Sequence, residues 1–209
     1  MVFKYKDREM FSGNQRLLIA KLTGKNETTD VVFGTGLVSV SPMEDEAEVT
    51  NFPADDVPDA ATIAGASLLK GTLSFMQLDP DVRVKFFGQD ATTNGKGYAS
   101  TGVYPQRLVQ YASLGSSKSG KKKLLVTVYP NMSVTGKPSK STETNSADTP
   151  TPINWEASVQ ASGSDFYTTA NGYRSAEFEF IFEGEEVDKV LEYIDGGGII
   201  TPNYTVTPK

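Results

Sequence analysis

Polar and apolar positions alternate most cleanly in the last third of the chain. In INWEASVQA, Ile153, Trp155, Ala157, Val159 and Ala161 fall on one side and Asn154, Glu156, Ser158 and Gln160 on the other. In SAEFEFIFE, Ala176, Phe178, Phe180 and Phe182 share a face opposite Glu177, Glu179 and Glu183. A period of two predicts a strand with one greasy face in each case. From Glu185 the spacing turns helical through Val187, Val190, Leu191 and Ile194, and Gly196 to Gly198 ends it.

The same rule reads the earlier part. Gln15 to Leu22 is a strand with Leu17 and Ile19 on one face, and Val31 opens a second strand. Val38 and Val40 alternate with Ser39 and Ser41, the period of a half-buried strand; Leu69, Leu73 and Phe75 alternate with Lys70, Thr72 and Ser74. Asp79 and Pro80 suit an N-cap and first helical position, and Gly88 suits the stop after Phe86 and Phe87. Arg107 to Leu114 and Lys123 to Tyr129 are strands joined by GSSKSGKKK, a flexible hairpin tip. Between them lie segments with no strand pattern. Residues 1–14 read as an N-terminal arm, 42–65 as a long acidic loop, 135–152 as a flexible loop and 199–209 as an extended C-terminal arm. The sum predicts one mainly β domain over 1–209, an antiparallel sandwich or open barrel with one or two short flanking helices.

Composition then removes chemistries. With no histidine and no cysteine, histidine-based triads, cysteine nucleophiles, disulfides and thiolate zinc sites cannot be built. No apolar run approaches the roughly 18 residues of a membrane span, and MVFKYKDREMF lacks the apolar core of a secretory signal. The formal charge is −6 and is unevenly spread. From Asn26 through Leu69 there is no Lys or Arg, while Glu44, Asp45, Glu46, Glu48, Asp55, Asp56 and Asp59 all fall within. A conventional DNA binder shows the opposite, a basic stripe.

The glycine pairs Gly34–Gly36 and Gly95–Gly97 lack the spacing of a phosphate loop. The Glu44-Asp45-Glu46 cluster is open to several readings: a solvated charge run, a partner-facing or lumen-facing patch, calcium ligands, or a carboxylate pair for hydrolysis. Lys118, Lys121, Lys122 and Lys123 form the only basic run, fitting a charge-protected edge, a meeting with the acidic loop of another copy, or phosphate binding. The Phe178-Phe180-Phe182 face and Trp155 read as core, with a sugar-stacking platform as the minority reading.

From Val31 to Asp90 the chain resembles the major tail proteins of long-tailed, non-contractile bacteriophages, especially those of Gram-positive lactic bacteria. TGLVSVSPMEDEAE, then NFPADDVPDA, then the Gly65–Phe75 strand and Phe87-Gly88-Gln89 carry the resemblance. The lysine-rich hairpin into VYPNMSV, the threonine-rich loop and the Ile153–Ala161 strand continue in family order. The resemblance implies a structural, non-enzymatic virion protein without cofactor, assembled in the host cytoplasm and located in the tail. Six copies would close a ring and rings would stack into a tube that carries double-stranded DNA without specific binding. Tape-measure and tail-completion proteins would be its other partners. The long loop at 42–65, with Glu44, Asp45, Glu46, Glu48, Phe52, Asp55, Asp56 and Asp59, would reach a neighbouring ring. The family often adds a C-terminal immunoglobulin-like domain, for which 209 residues are expected to leave no room. A carbohydrate- or surface-binding β-sandwich, such as a receptor-binding or decoration module, is the alternative.

Overall fold

The computed structural model describes residues 9–47, 49–54, 57–64, 66–117, 120–142 and 153–206. Strands come first: β1 (Glu9–Gly24), β2 (Glu27–Gly34), β3 (Leu37–Val40), β4 (Glu44–Asp45), β5 (Val49–Ala54), β6 (Val57–Ala64) and β7 (Leu68–Phe75). Helix α1 (Pro80–Lys85) precedes β8 (Gln89–Ala91), β9 (Tyr98–Ser100), β10 (Arg107–Ser117), β11 (Lys122–Val134), β12 (Ser139–Ser141), β13 (Asn154–Ser162) and β14 (Phe178–Glu183). Helix α2 (Glu185–Asp195) follows. The main sheet runs β2-β1-β10-β11-β13-β7-β3 with antiparallel neighbours, so the expected mainly β, antiparallel architecture is what forms.

Strand β11 divides the sheet. Its first half pairs with β14, from Lys123↔Glu183 to Val128↔Phe178. Its second half pairs with β13, from Asn131↔Ser162 to Val134↔Val159. On its other side β10 runs along nearly its whole length. The central strands bury both faces. Leu17, Ile19, Val109, Tyr129 and Met132 join one cluster with Phe75, Val82, Phe86 and Phe87, which α1 closes. Leu18, Ala20, Leu108, Leu124, Val126 and Val128 join a second, closed by Val187, Val190 and Ile194 of α2 and by Ile199 and Ile200. A strand covered on both faces shows a continuous apolar run rather than alternation, and Leu17-Leu18-Ile19-Ala20 is such a run. The helices therefore sit on opposite faces of the central strands.

Several expectations are corrected. The N-terminal arm expected at 1–14 is strand from Glu9 onward, because β1 already pairs with β10 at Glu9↔Ser117, and residues 1–8 lie outside the described residues. Phe11 explains it: its ring occupies the space over Gly115, where a Cβ would come within 2.5 Å of it. The acidic loop at 42–65 is largely strand. β4 pairs with β7, and β5 and β6 form a separate two-stranded ribbon. Pro53 fits because it lies at a register shift between Phe52 and Ala54, and both strands of a lone ribbon are edges. In the segment 135–152, Ser139–Ser141 pairs with β13, while 143–152 lies outside the described residues. The C-terminal arm at 199–209 is packed rather than extended as far as residue 206, with Ile199 and Ile200 in the core. Gly197, at φ +85°, reverses the chain to put them there.

Smaller differences have local causes. Val38 is 53% exposed, because a register shift between Leu37 and Ser39 hands the inward position to Leu37 and Val40. Ile153 is exposed at the start of β13. Asp79 does stand at the N-cap of α1 but makes no capping bond. Its carboxylate instead accepts from the Thr35 amide at 2.6 Å and the Thr35 hydroxyl at 2.8 Å, tying the helix to the β2–β3 turn. The GSSKSGKKK tip is tighter than expected, with strand pairing kept to Ser116↔Lys122.

Candidate functional site

The ribbon stands on a pinned base. Residues before it pair with β7 at Glu44↔Lys70 and Asp45↔Leu69, and the Glu46 amide donates to the Leu68 carbonyl at 2.9 Å. Met43 seats its sulfur against Gly71, at a place a Cβ would fill. Asp45 then ties the two roots together. Its carboxylate accepts from the Ala47 amide at 3.0 Å on the outgoing root. On the returning root it accepts from the Ser67 hydroxyl at 2.8 Å and the Leu68 amide at 3.1 Å. The Ser67 bond, then that of Ala47, hold the carboxyl below the ordinary aspartate value. Glu46 pairs with Lys70.

The acidic residues singled out from the sequence therefore divide. Asp45 and Glu46 hold the base, and Glu44 is exposed beside them. Phe52 lies on β5, in register with Ala61, and Asp59 lies on β6. Glu48, Asp55 and Asp56 lie outside the described residues. Among the described residues no group of carboxylates gathers closely enough to hold a metal ion. In the basic run, Lys118 lies outside the described residues and Lys121 is exposed. Lys122 meets Asp188 and the nearly buried Lys123 meets Glu183, each at 3.3 Å. The structure thus brings two of the four lysines against carboxylates of their own chain. Neither of these carboxylates, Asp188 or Glu183, lies at the ribbon base.

A third feature is a set of open strand edges whose place the sequence did not locate. The first half of β1, then β10, β11 and β14 form a four-stranded strip. Among the described residues, β1 from Glu9 to Arg16 has a partner only in β10, and β14 only in β11. Among the described residues both rims of the strip are open. The β1 rim exposes Met10 at 77%, with Leu114 on the neighbouring strand at 37%. The β14 rim carries the half-buried Phe178, Phe180 and Phe182 on the α2 face and Ile181, 55% exposed, on the other. A signal was present. Ile181 breaks the acidic row Glu177-Glu179-x-Glu183, where alternation calls for a polar residue.

Behind the strip the face opposite α2 is polar. Tyr111 and Tyr129 lie 6.4 Å apart, and the Tyr129 hydroxyl is hydrogen-bonded to the Glu177 carboxylate. Burial raises the Glu177 carboxyl above its ordinary value, and the nearby Glu179 charge raises it further. Burial likewise pushes the Tyr129 phenol up. No helix among the described residues is long and apolar enough to cross a membrane. What this arrangement offers is strand edges and a ribbon that pairs as a sheet of its own.

A family model described as phage tail tube protein matches residues 1–207. The chain belongs to that family. It is 37% identical over 215 residues to the tail tube protein of Lactococcus phage SK1, which covers 99% of this chain and 71% of that relative. The tail tube proteins of Lactococcus phages p2 and F4-1 match with the same identity and coverage. Membership of the tail tube family makes the role a structural one in the phage tail.

Proposed function

We propose that copies of this chain close into rings, six to a ring as the family resemblance implies, and that the rings stack into the tube. The four-stranded strip, open on both sides and bearing exposed Met10 and Ile181, carries this reading. A lone subunit with such rims invites aggregation, and a closed ring removes the rims altogether. In this reading the β5–β6 ribbon reaches an adjacent ring; its being a sheet of its own on a pinned base supports that role.

The bore is the conduit for duplex DNA. DNA carries about one charge per 1.7 Å, so a strongly basic bore would grip it by counterion release. At −6 per copy this chain does not supply the excess of cations that gripping needs. Tape-measure and tail-completion proteins complete the tail at its length and its ends. Negative-stain microscopy of the purified protein across a concentration series tests the reading. Rings and tubes are expected above a threshold concentration; a monomer at every concentration would refute it.

A further inference from the structure

We infer that the chain carries a binding site for a small phosphate-type oxyanion, in a cavity where the main sheet splits. Strand β11 pairs with β14 as far as Val128 and with β13 from Asn131. Among the described residues, Tyr129 and Pro130 therefore have no strand partner on that side, and Pro130 has no N–H to offer one. The other side is irregular too, because the β10–β11 register shifts between Arg107 and Val109. Irregularities of this kind gather beside binding sites. Here they adjoin a cavity of about 280 Å³ lined from the end of β1, the start of β10, the middle of β11 and the loop after β13. That is the small end of the range for ligand pockets, which begins at roughly 300 Å³.

Charge names the ligand. Lys21 and Arg107 line the cavity, and none of the residues lining it carries a carboxylate. The Arg107 side chain is only 15% exposed, and a guanidinium so far from water needs compensation. It receives little. Its Nε donates to the Lys85 carbonyl at 3.0 Å. The carboxylate it meets, that of Asp30, stands 3.6 Å from Nη2, beyond a hydrogen bond, and is already paired with the Lys85 ammonium. Lys21 is exposed and makes no ion pair among the described residues. Three cations are thus set against the single carboxylate of Asp30, a local reversal of sign in a chain of net charge −6. Asp165, beside the lining residues Ser164 and Phe166, does not correct the balance, since it pairs with Arg174 at 3.0 Å. An anion with several oxygens answers this arrangement. The arginine fork and the lysine ammonium supply charged donors, and Ser164 and Asn131 add neutral polar groups to the wall.

Inorganic phosphate is the probe, and the site is independent of how copies assemble. Tm is followed against phosphate concentration, with chloride holding the ionic strength constant. A bound anion gives a saturating rise, about 3–6 °C once phosphate reaches ten times its dissociation constant. Phosphate also stabilises proteins at large by exclusion from their surface, which gives a rise without saturation. Lys21→Gln separates the two effects. At an exposed position it should leave Tm in chloride unchanged. The phosphate concentration giving half the rise should increase about tenfold, the effect of losing one charged hydrogen bond. Lys25→Gln removes the same charge in the adjoining turn, outside the cavity, and should leave the half-rise concentration where it was. Acetate in place of phosphate should give no saturating rise. Four results would overturn the site: a rise that never saturates, a Lys21→Gln curve matching wild type, an equal displacement in Lys25→Gln, or acetate acting as well as phosphate.

Discussion

The Asp45 carboxylate accepts the Ser67 hydroxyl at 2.8 Å across the base of the β5–β6 ribbon, so one side chain joins the strand that leaves the body to the strand that returns. Ala47 and Leu68 amides complete the cage. The Asp45→Asn variant loses the charge that strengthens these bonds. Because Asp45 is at the surface, global Tm should change little. Amide exchange at Leu68 and proteolysis within 49–64 should speed up. The pH dependence has a definite sign. The folded carboxyl lies below its ordinary value of 3.8, so the clamp is complete above pH 3.8 and is lost as pH falls through the folded value. Ribbon protection that was flat down to the acid unfolding of the body would contradict this.

Glu177 has the opposite sign. Its folded value is raised above 4.5, first by burial and then by Glu179. Folding therefore costs more with the carboxyl charged, and that penalty is present above the folded value and vanishes below 4.5. Glu177→Gln keeps a group able to bond the Tyr129 hydroxyl while removing the charge. Thermal melts should show a higher Tm than wild type at pH 7, with the gain shrinking towards zero as pH falls to 4.5. A lower Tm at pH 7 would mean that the charge itself stabilises the strip.

The C-terminal segment is held by a buried set of hydrogen bonds. Tyr167 donates its hydroxyl to the Ile200 carbonyl at 2.6 Å, and the buried Gln110 accepts the Ile200 amide at 2.7 Å. Tyr167→Phe leaves that carbonyl unsatisfied and should cost about 1–3 kcal/mol. Ile200→Ala should cost about 2–5 kcal/mol through the cavity it opens in the α2 cluster. Urea unfolding should report both as a lower midpoint at unchanged m-value.

Gly88 is a different kind of constraint. It sits at φ +58°, and a Cβ there would come within 1.8 Å of the Val103 carbonyl oxygen. The contact is with backbone, which cannot swing aside as a side chain can. Gly88→Ala should therefore destabilise by about 3 kcal/mol, measured in the same urea titration.

Much of the fold could be read from periodicity, and the failures share a cause. β7, β13, β14 and α2 fall where alternation or helical spacing places them, because each, apart from Ile181 of β14, is apolar mainly on one side. Leu17-Leu18-Ile19-Ala20 misleads in the other direction. A strand buried on both faces has no alternation, so the covering of Leu18 and Ala20 by α2 is invisible in a local window. The C-terminal segment looks like an arm for a related reason. Ile199 and Ile200 are only two apolar residues, and their burial depends on the turn at Gly197 and on Gln110, some ninety positions earlier. In the ribbon, acids and prolines hide a hairpin whose strands, among the described residues, pair only with each other. Tertiary partners settled each of these, and they are not neighbours in sequence.

Replacing residues 49–64 with a two-residue Asn-Gly turn separates the ribbon's role from the body's. The replacement spares Met43, Asp45, Glu46 and Ser67, which pack or bond at the base. It also spares every strand of the main sheet, since β5 and β6 pair only with one another among the described residues. The monomer's Tm should therefore stay within about 2 °C of wild type, as expected for a change outside the core. If rings close through the strip and stack through the ribbon, microscopy should show single rings at concentrations where wild type forms tubes. Tubes of normal length would show that stacking needs other surfaces. Loss of the rings themselves, with Tm preserved, would place the ribbon in the ring joint and require the strip's rims to find a different partner.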